Sequence, residues 1–96
     1  MAHYLTIPEV TDAEELVAFS TSSGDQSFNI VINAGTTATQ LFQAAAKGTV
    51  IPLVVIATDA PFIALDDVVV SSALAGGSGG DNYMTFTLDA GAVRLF

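Results

Sequence analysis

The sequence predicts an all-β fold with one short helix, arranged as a single β-barrel or sandwich of about seven to nine strands with a helical cap. Short segments with strand periodicity are spread along the whole chain, and one segment has the periodicity of a helix. Acidic or glycine-containing steps also interrupt two of the strand patterns. The chain has 96 residues and shows no internal repeat, so we expect one domain over residues 1–96.

The strand predictions rest on short runs that alternate in polarity or are rich in β-branched residues. Phe28 to Asn33 alternates like a half-buried strand. It follows a run from Glu15 to Ser20 and a polar turn from Thr21 to Gln26, which together predict a hairpin. Six further segments have strand composition: Tyr4 to Ile7, Val50 to Thr58, Pro61 to Leu65, Val68 to Ser72, Tyr83 to Leu88 and Ala92 to Phe96.

The predicted helix covers Thr36 to Lys47. Thr37 and Gln40 have the spacing of a capping box, and Gly48 is typical of a left-handed helix stop. Lys47 falls in the last turn, where a cation suits the helix dipole. One face of the helix is predicted to be apolar and buried, and its members are Ala38, Leu41, Phe42 and Ala45.

Two interruptions predict β-bulges that help the sheet to curl. One is Asp66-Asp67 and the other is Asp89-Ala90-Gly91. Around the second, the large apolar residues change from even to odd positions, as they do where a strand contains an extra residue. The residues that show this change are Met84, Phe86 and Leu88 before it and Val93 and Leu95 after it.

Charge excludes two classes of function. Lys47 and Arg94 are the two basic residues against ten acids, which gives a formal net charge of −8. Binding to nucleic acid or to an anionic membrane surface requires clustered Lys and Arg, so neither partner is expected. Hydrophobic residues make up 51% and charged residues 12%. This apolar excess favours burial against other copies of the chain, although a well-packed monomer would have the same composition.

No targeting segment is expected. The start of the chain lacks a basic region followed by an apolar run, and the apolar stretch from Leu53 to Ala57 is far shorter than a membrane span. If the protein leaves the cell, we expect a route other than a signal peptide.

The composition also argues against an enzyme and against a cofactor or metal site. There is one histidine, His3, near an end that we expect to be mobile, and there is no cysteine, so nucleophile–base systems lack members. The carboxylate pairs Glu14-Glu15 and Asp66-Asp67 are sequence neighbours. On a strand such neighbours point to opposite faces, so neither pair is suited to acid–base catalysis on one bond.

The segment from Gly76 to Asp81, with sequence GGSGGD, allows three interpretations. It is compatible with a flexible connection between strands. A phosphate-binding loop is disfavoured because a strand pattern, not a helix, follows it. One nine-residue window fits the calcium β-roll repeat, but that repeat binds calcium as tandem copies and here it occurs once. The third interpretation is a family resemblance.

The stretch from Asp66 to Asp81 resembles the haemolysin-coregulated protein (Hcp) family, the tube proteins of type VI secretion, here in a shortened form. In that family an acidic turn and a valine-rich strand lead into a similar Gly-Gly-Ser-Gly-Gly-Asp loop, followed by a strand like Tyr83 to Leu88. The helix before Val50 to Thr58 and the opening Tyr4 to Val10 also resemble the family. The family's long early loop is reduced here to about Ser20 to Ser27.

The resemblance implies an Hcp or tail-tube-like barrel that forms homohexameric rings. Such rings stack into a tube that carries effector cargo and works with spike and sheath proteins. It further implies a protein that is cytoplasmic before assembly and is then secreted by a contractile machine, with part of its acidic charge on the lumen or outer wall. The alternative is a monomeric small barrel that binds a ligand or peptide. The residues expected to form a ring or stack contact loop are Ser71, Ser72, Gly76, Gly77, Ser78, Gly79, Gly80 and Asp81.

Overall fold

The computed structural model describes residues 3–8, 10–21, 26–58, 61–78 and 81–95, without the side chains of residues 21, 61, 62, 77, 78 and 81. Along these residues the chain forms seven strands and one helix. In chain order they are β1 (His3–Ile7), β2 (Thr11–Leu16), β3 (Ala18–Thr21), β4 (Ser27–Asn33), α1 (Thr36–Lys47), β5 (Val50–Ala57), β6 (Pro61–Ser78) and β7 (Asp81–Leu95).

All seven strands belong to one antiparallel sheet with the order β2-β1-β5-β6-β7-β4-β3. The two strands at the ends of this order, β2 and β3, are consecutive in the chain and are separated by Val17 alone. The backbone N–H of Val17 donates to the carbonyl oxygen of Val31 on β4 at 2.7 Å. One short segment therefore joins both ends of the sheet, which curls into the predicted barrel.

The interior of the barrel is a single apolar cluster. Its centre is fully buried, since Phe86, Leu5 and Leu65 each have 0% exposure. Every strand except the short β3 contributes a buried apolar side chain, and α1 adds Ala38 and Leu41. The full cluster comprises Leu5, Ile7, Leu16, Phe28, Ile30, Ile32, Ala38, Leu41, Ile51, Val54, Ile56, Ile63, Leu65, Val68, Val70, Phe86, Leu88 and Ala90.

Three adjacent strands change their buried face along one line across the sheet, at Pro52, Asp67 and Gly91. On β6 the core residues are Ile63 and Leu65 before the line and Val68 and Val70 after it. The same change separates Ile51 from Val54 and Ile56 on β5, and Ala90 from the partly buried Val93 on β7. We call this line the fold line.

The fold line differs from the two predicted bulges. The predicted change of buried face is confirmed, but the predicted extra residue is wrong. Asp66 pairs with both Leu53 and Ala92, and Val68 pairs with both Ile51 and Ala90, so the register is unchanged on either side of the line. Because all three strands turn together, none of them needs an inserted residue.

Backbone chemistry explains why the strands turn at these positions. Asp67 has a φ of 52°, in the left-handed region that aspartate tolerates better than most residues. Pro52, opposite Asp67, has no N–H to give to a ladder hydrogen bond. Gly91 lies opposite on the other side, where an added Cβ would be 3.1 Å from the Cβ of Asp67. A proline, an aspartate and a glycine therefore meet the requirements of one bend.

The long strands β6 and β7 also correct the predicted strand limits. The segments predicted as separate strands at Pro61 to Leu65 and Val68 to Ser72 are parts of β6, which continues to Ser78. Likewise β7 joins the two strands predicted near the end of the chain. The register between β6 and β7 shifts between Val70 and Ser72, so Ser71 is the irregular position. Gly76, Gly77 and Ser78 extend the strand instead of forming a loop.

The first hairpin and the start of the chain need smaller corrections. The strand predicted from Glu15 to Ser20 is divided by Val17 into β2 and β3. The predicted pairing across the turn is confirmed, since β3 pairs with β4. His3 begins β1, and its ring centroid lies 5.6 Å from that of Phe19.

Helix α1 has the predicted limits and the predicted stop at Gly48, whose φ is 67°. The capping box prediction is wrong, because the N-cap is Gly35 without a side-chain cap, and Thr37 is buried in the first turn. The hydroxyl of Thr39 instead donates to the carbonyl of Gly35 at 3.0 Å. Phe42 was predicted to be buried, but it lies at the margin of the packed face with 50% exposure.

Asp67→Val should destabilise the fold by about 1–3 kcal/mol, since a β-branched residue is strained at a left-handed φ. Asp67→Asn, which tolerates the same φ, should change the free energy of unfolding by less than about 0.5 kcal/mol. Urea unfolding of the two variants measures the difference. Equal stabilities would show that the bend does not depend on the backbone at Asp67.

Gly91→Val should destabilise the fold by about 1–2 kcal/mol, because the new side chain meets Asp67, its neighbour on the fold line. Gly76→Val is the matched control, since nothing lies within 4 Å of a Cβ at that position, and it should retain stability. Thermal unfolding monitored by circular dichroism compares them. A larger loss at Gly76 would contradict this account of the fold line.

Candidate assembly surface

Beyond Ser71 the barrel wall is a four-stranded sheet, which we call the distal sheet. It contains residues 71–78 of β6, residues 81–89 of β7, then β4 and β3. The rest of the wall contains β2, β1, β5 and the remaining parts of β6 and β7, and the fold line crosses it. The hairpin of β6 and β7 is long enough to belong to both parts, because β6 has 18 residues and β7 has 15.

The distal sheet has two open edges. Strand β5 pairs with β6 no further than Val69, so residues 71–78 have β7 on one side and no strand among the described residues on the other. Strand β3 pairs with β4 on one side and with no described strand on its other side. An open strand edge presents N–H and C=O groups that another strand can pair with.

The outer face of the distal sheet is polar but carries almost no charge. Residues of four strands form two aligned rows on it, Ser20-Asn29-Thr87-Ser72 and Ala18-Val31-Thr85-Leu74. A third row contains Asn33, Tyr83 and Gly76. These rows contain no carboxylate and no cation, although the chain has ten acids. Leu74 stands out because it is a large apolar side chain with 67% exposure.

Hydrogen bonds from side-chain hydroxyl groups link the strands of this face. The Thr87 hydroxyl donates to Oδ1 of Asn29 at 2.9 Å. The hydroxyl of Ser71, at the register shift, donates to the carbonyl oxygen of Thr87 at 3.4 Å. At the end of the sheet the Ser27 hydroxyl donates to the Asp89 carboxylate. The acid nearest to the two neutral rows is therefore engaged with a serine of the adjacent strand.

The structure brings some of the predicted contact residues together at the open edge of β6. Ser71, Ser72 and Gly76 are exposed on it. Gly77 and Ser78 continue the ladder opposite Asn82 and Asp81. Gly79 and Gly80 lie outside the described residues.

Sequence reasoning missed the exposure of Leu74 and the open edge of β3. Leu74 lies between predicted contact residues, and it is exposed because the register shift at Ser71 places it on the outer face. Strand β3 was predicted as part of one strand from Glu15 to Ser20, and a hairpin prediction does not show that the other side of β3 is left unpaired.

The two basic residues lie away from the neutral rows. Arg94 donates to both carboxylate oxygens of Asp66, from Nε at 2.8 Å and from Nη2 at 3.0 Å. This hydrogen bonding, followed by the negative charge of Asp66, raises the pKa of Arg94 above its ordinary value. Lys47 lies in the last turn of α1 and takes part in no ion pair among the described residues.

Within the described part of the chain, no group of three or more His, Asp or Glu side chains is arranged to hold a metal ion. Among the same residues no helix is long and apolar enough to cross a bilayer. An apolar groove of about 280 Å³ lies between the start of α1 and the inner side of the distal sheet, with Phe42, Ala75 and Met84 among its walls.

No family model and no curated protein matches the sequence. Solved structures do match in fold. The crystal structure of Hcp2 from Salmonella typhimurium aligns with a TM-score of 0.81 at 12% identity, covering 100% of this chain and 96% of that chain. Hcp1 from Salmonella typhimurium aligns with a TM-score of 0.77 at 16% identity, covering 96% of this chain and 82% of that chain.

A more distant match is the anti-feeding prophage (AFP) baseplate, 6-fold symmetrised, with a TM-score of 0.58 at 12% identity, covering 99% of this chain and 91% of that chain. The length difference expected from the resemblance is small against Hcp2 and larger against Hcp1. The chain therefore has the barrel fold of the Hcp proteins, as the resemblance implied.

Proposed function

We propose that the chain is a structural subunit that closes into homohexameric rings of a type VI or related contractile secretion system and has no catalytic centre. The observation that carries this proposal is the pair of open edges on one four-stranded sheet. Likeness to the Hcp fold and to a baseplate described as 6-fold symmetrised favours six copies per ring.

The strand count of the distal sheet makes a closed ring possible. Its strands alternate in direction, and because there are four of them, the edge strands β6 and β3 run in opposite directions. When identical copies are related by rotation, β6 of one copy meets β3 of the next copy in antiparallel orientation. The two edges also lie at the same height, because Ser20 and Ser72 share one row. Pairing around the ring would leave no open edge.

Charge favours contact at the same place. Each copy carries a formal charge of −8, so copies repel one another unless their contact surfaces are free of acids. The rows that reach both edges of the distal sheet are neutral. In a ring closed through these edges, the outer face of the distal sheet would line the lumen. We therefore propose that these rows give the lumen a band of hydroxyl, amide and apolar groups, and that most of the acidic charge lies elsewhere on the ring.

The remaining parts of the proposal rest on the fold likeness. Rings would stack into an inner tube, carry effector proteins in the lumen and act with spike and sheath proteins. The subunit would be cytoplasmic before assembly and would leave the cell through the machine.

A second candidate is a monomeric module that binds an extended peptide. The apolar groove beside Ala75 and Met84 favours it, since a strand added to the edge of β6 could place alternate side chains there. The mass in solution separates the two candidates, because this module predicts a monomer at every concentration.

Leu74→Glu should prevent ring formation. The substitution places a carboxylate at the edge of β6, where each copy would meet the next, and six like charges around the lumen of an already acidic ring would repel one another. Because Leu74 is 67% exposed, the free energy of unfolding should change by less than about 0.5 kcal/mol. Light scattering and negative-stain images should show folded monomers in place of rings.

Leu95→Glu is the matched control. It makes the same change at a residue with 77% exposure that lies outside the distal sheet, at the end of β7. This variant should still form rings. Rings that persist in Leu74→Glu, or that are lost equally in both variants, would contradict closure through the distal sheet.

A further inference from the structure

A second groove, of about 470 Å³, lies under the C-terminal half of α1 and outside the distal sheet. One face of the helix forms its upper wall through Gln40, Gln43, Ala44 and Lys47. Thr49 and Ile51, where β5 begins, form the opposite wall together with Val10. The groove therefore combines an ammonium group, two side-chain amides and a hydroxyl over an apolar floor.

Lys47 supplies the positive charge in the lining of this groove. The other basic residue, Arg94, already has both carboxylate oxygens of Asp66 as hydrogen-bond partners. Lys47 has no ion-pair partner in the described part of the chain. Amide N–H groups and an ammonium group suit a carboxylate, which accepts hydrogen bonds from both. In an assembly of identical chains with ten acids each, the most abundant carboxylates belong to the neighbouring copies.

The Glu15 carboxylate lies too far from the groove of its own copy to reach it. The groove lies where β5 begins, whereas Glu15 lies beside Tyr4, which pairs with Ala57 at the other end of β5. Six residues of strand separate Ile51 from Ala57, or about 20 Å, so Lys47 and Glu15 of one copy cannot meet. Glu15 is exposed and is therefore free to meet another copy.

We propose that the Lys47 groove receives the Glu15 carboxylate of a second copy of this chain, in a head-to-tail contact along the barrel. The contact joins two different surfaces, so it repeats from copy to copy and builds an open stack. It uses neither open edge of the distal sheet and can therefore form between rings. The proposal rests on the proposed ring function and specifies the partner of one further surface.

The test measures ring-to-ring association by sedimentation velocity and negative-stain images. One exposed ion pair changes an equilibrium constant about two- to fivefold, and six pairs act together between two rings. Lys47→Glu should therefore lower association between rings by about 60-fold or more and leave single rings intact. Glu15→Lys should have the same effect, and the double variant should restore stacks because the pair is re-formed with reversed charges.

Asp12→Lys and Glu9→Lys, each combined with Lys47→Glu, are the matched controls. Both make the same change of charge, one at exposed Asp12 on β2 and the other at the sequence neighbour of Val10. Neither should restore stacks. Restoration by either control in place of Glu15→Lys, stacks that survive Lys47→Glu, or a wild-type chain that forms single rings alone would each overturn the inference. A wild-type chain that stays monomeric would instead overturn the proposed ring function.

Discussion

The structure depends on one constraint, the coordinated turn of three strands at Pro52, Asp67 and Gly91. A strand has two faces, and a barrel has one inside, so a strand that continues through a bend must change the face that it buries. Here β5, β6 and β7 make this change together and keep their register. As a result the long hairpin of β6 and β7 passes from one part of the barrel wall into the other without losing its pairing.

The open edges follow from the same hairpin. Strands β6 and β7 are longer than their neighbours, so residues 71–78 of β6 continue beyond Val69, where the pairing with β5 ends. This part, with β7, β4 and β3, makes an even number of alternating strands, which is the condition for antiparallel pairing between rotated copies. The distribution of charge agrees with this geometry, since the two rows that reach both edges are neutral in a strongly acidic chain. The two basic residues lie elsewhere, one paired with Asp66 and the other in the groove under α1.

Much of the fold was predictable from local patterns, and the failures have physical causes. The limits of α1, the stop at Gly48 and the change of buried face after Ala90 were correct because periodicity and glycine chemistry determine them. The fold line was misread as two bulges, since a change of face on one strand cannot reveal that its neighbours change with it. The glycine-rich segment was assigned to a loop because glycine favours turns. At Gly76 and Gly77 the pairing between β6 and β7 overrides that preference. Leu74 was missed for a related reason, as its exposure depends on the register shift at Ser71.

The central claim is that the edge of β6 pairs with β3 of the next copy, and cysteine cross-linking tests it most directly. The chain has no cysteine, so an introduced pair has no background. Ser20 and Ser72 lie at opposite edges of the distal sheet, about 14 Å apart across three strand spacings, which is too far for a disulfide within one copy. Ala18 and Leu74 are the equivalent pair in the next row. After oxidation of Ser20→Cys/Ser72→Cys or Ala18→Cys/Leu74→Cys, a ladder of covalent oligomers ending at one closed species is predicted on a non-reducing gel. Monomers alone from both pairs would contradict the account.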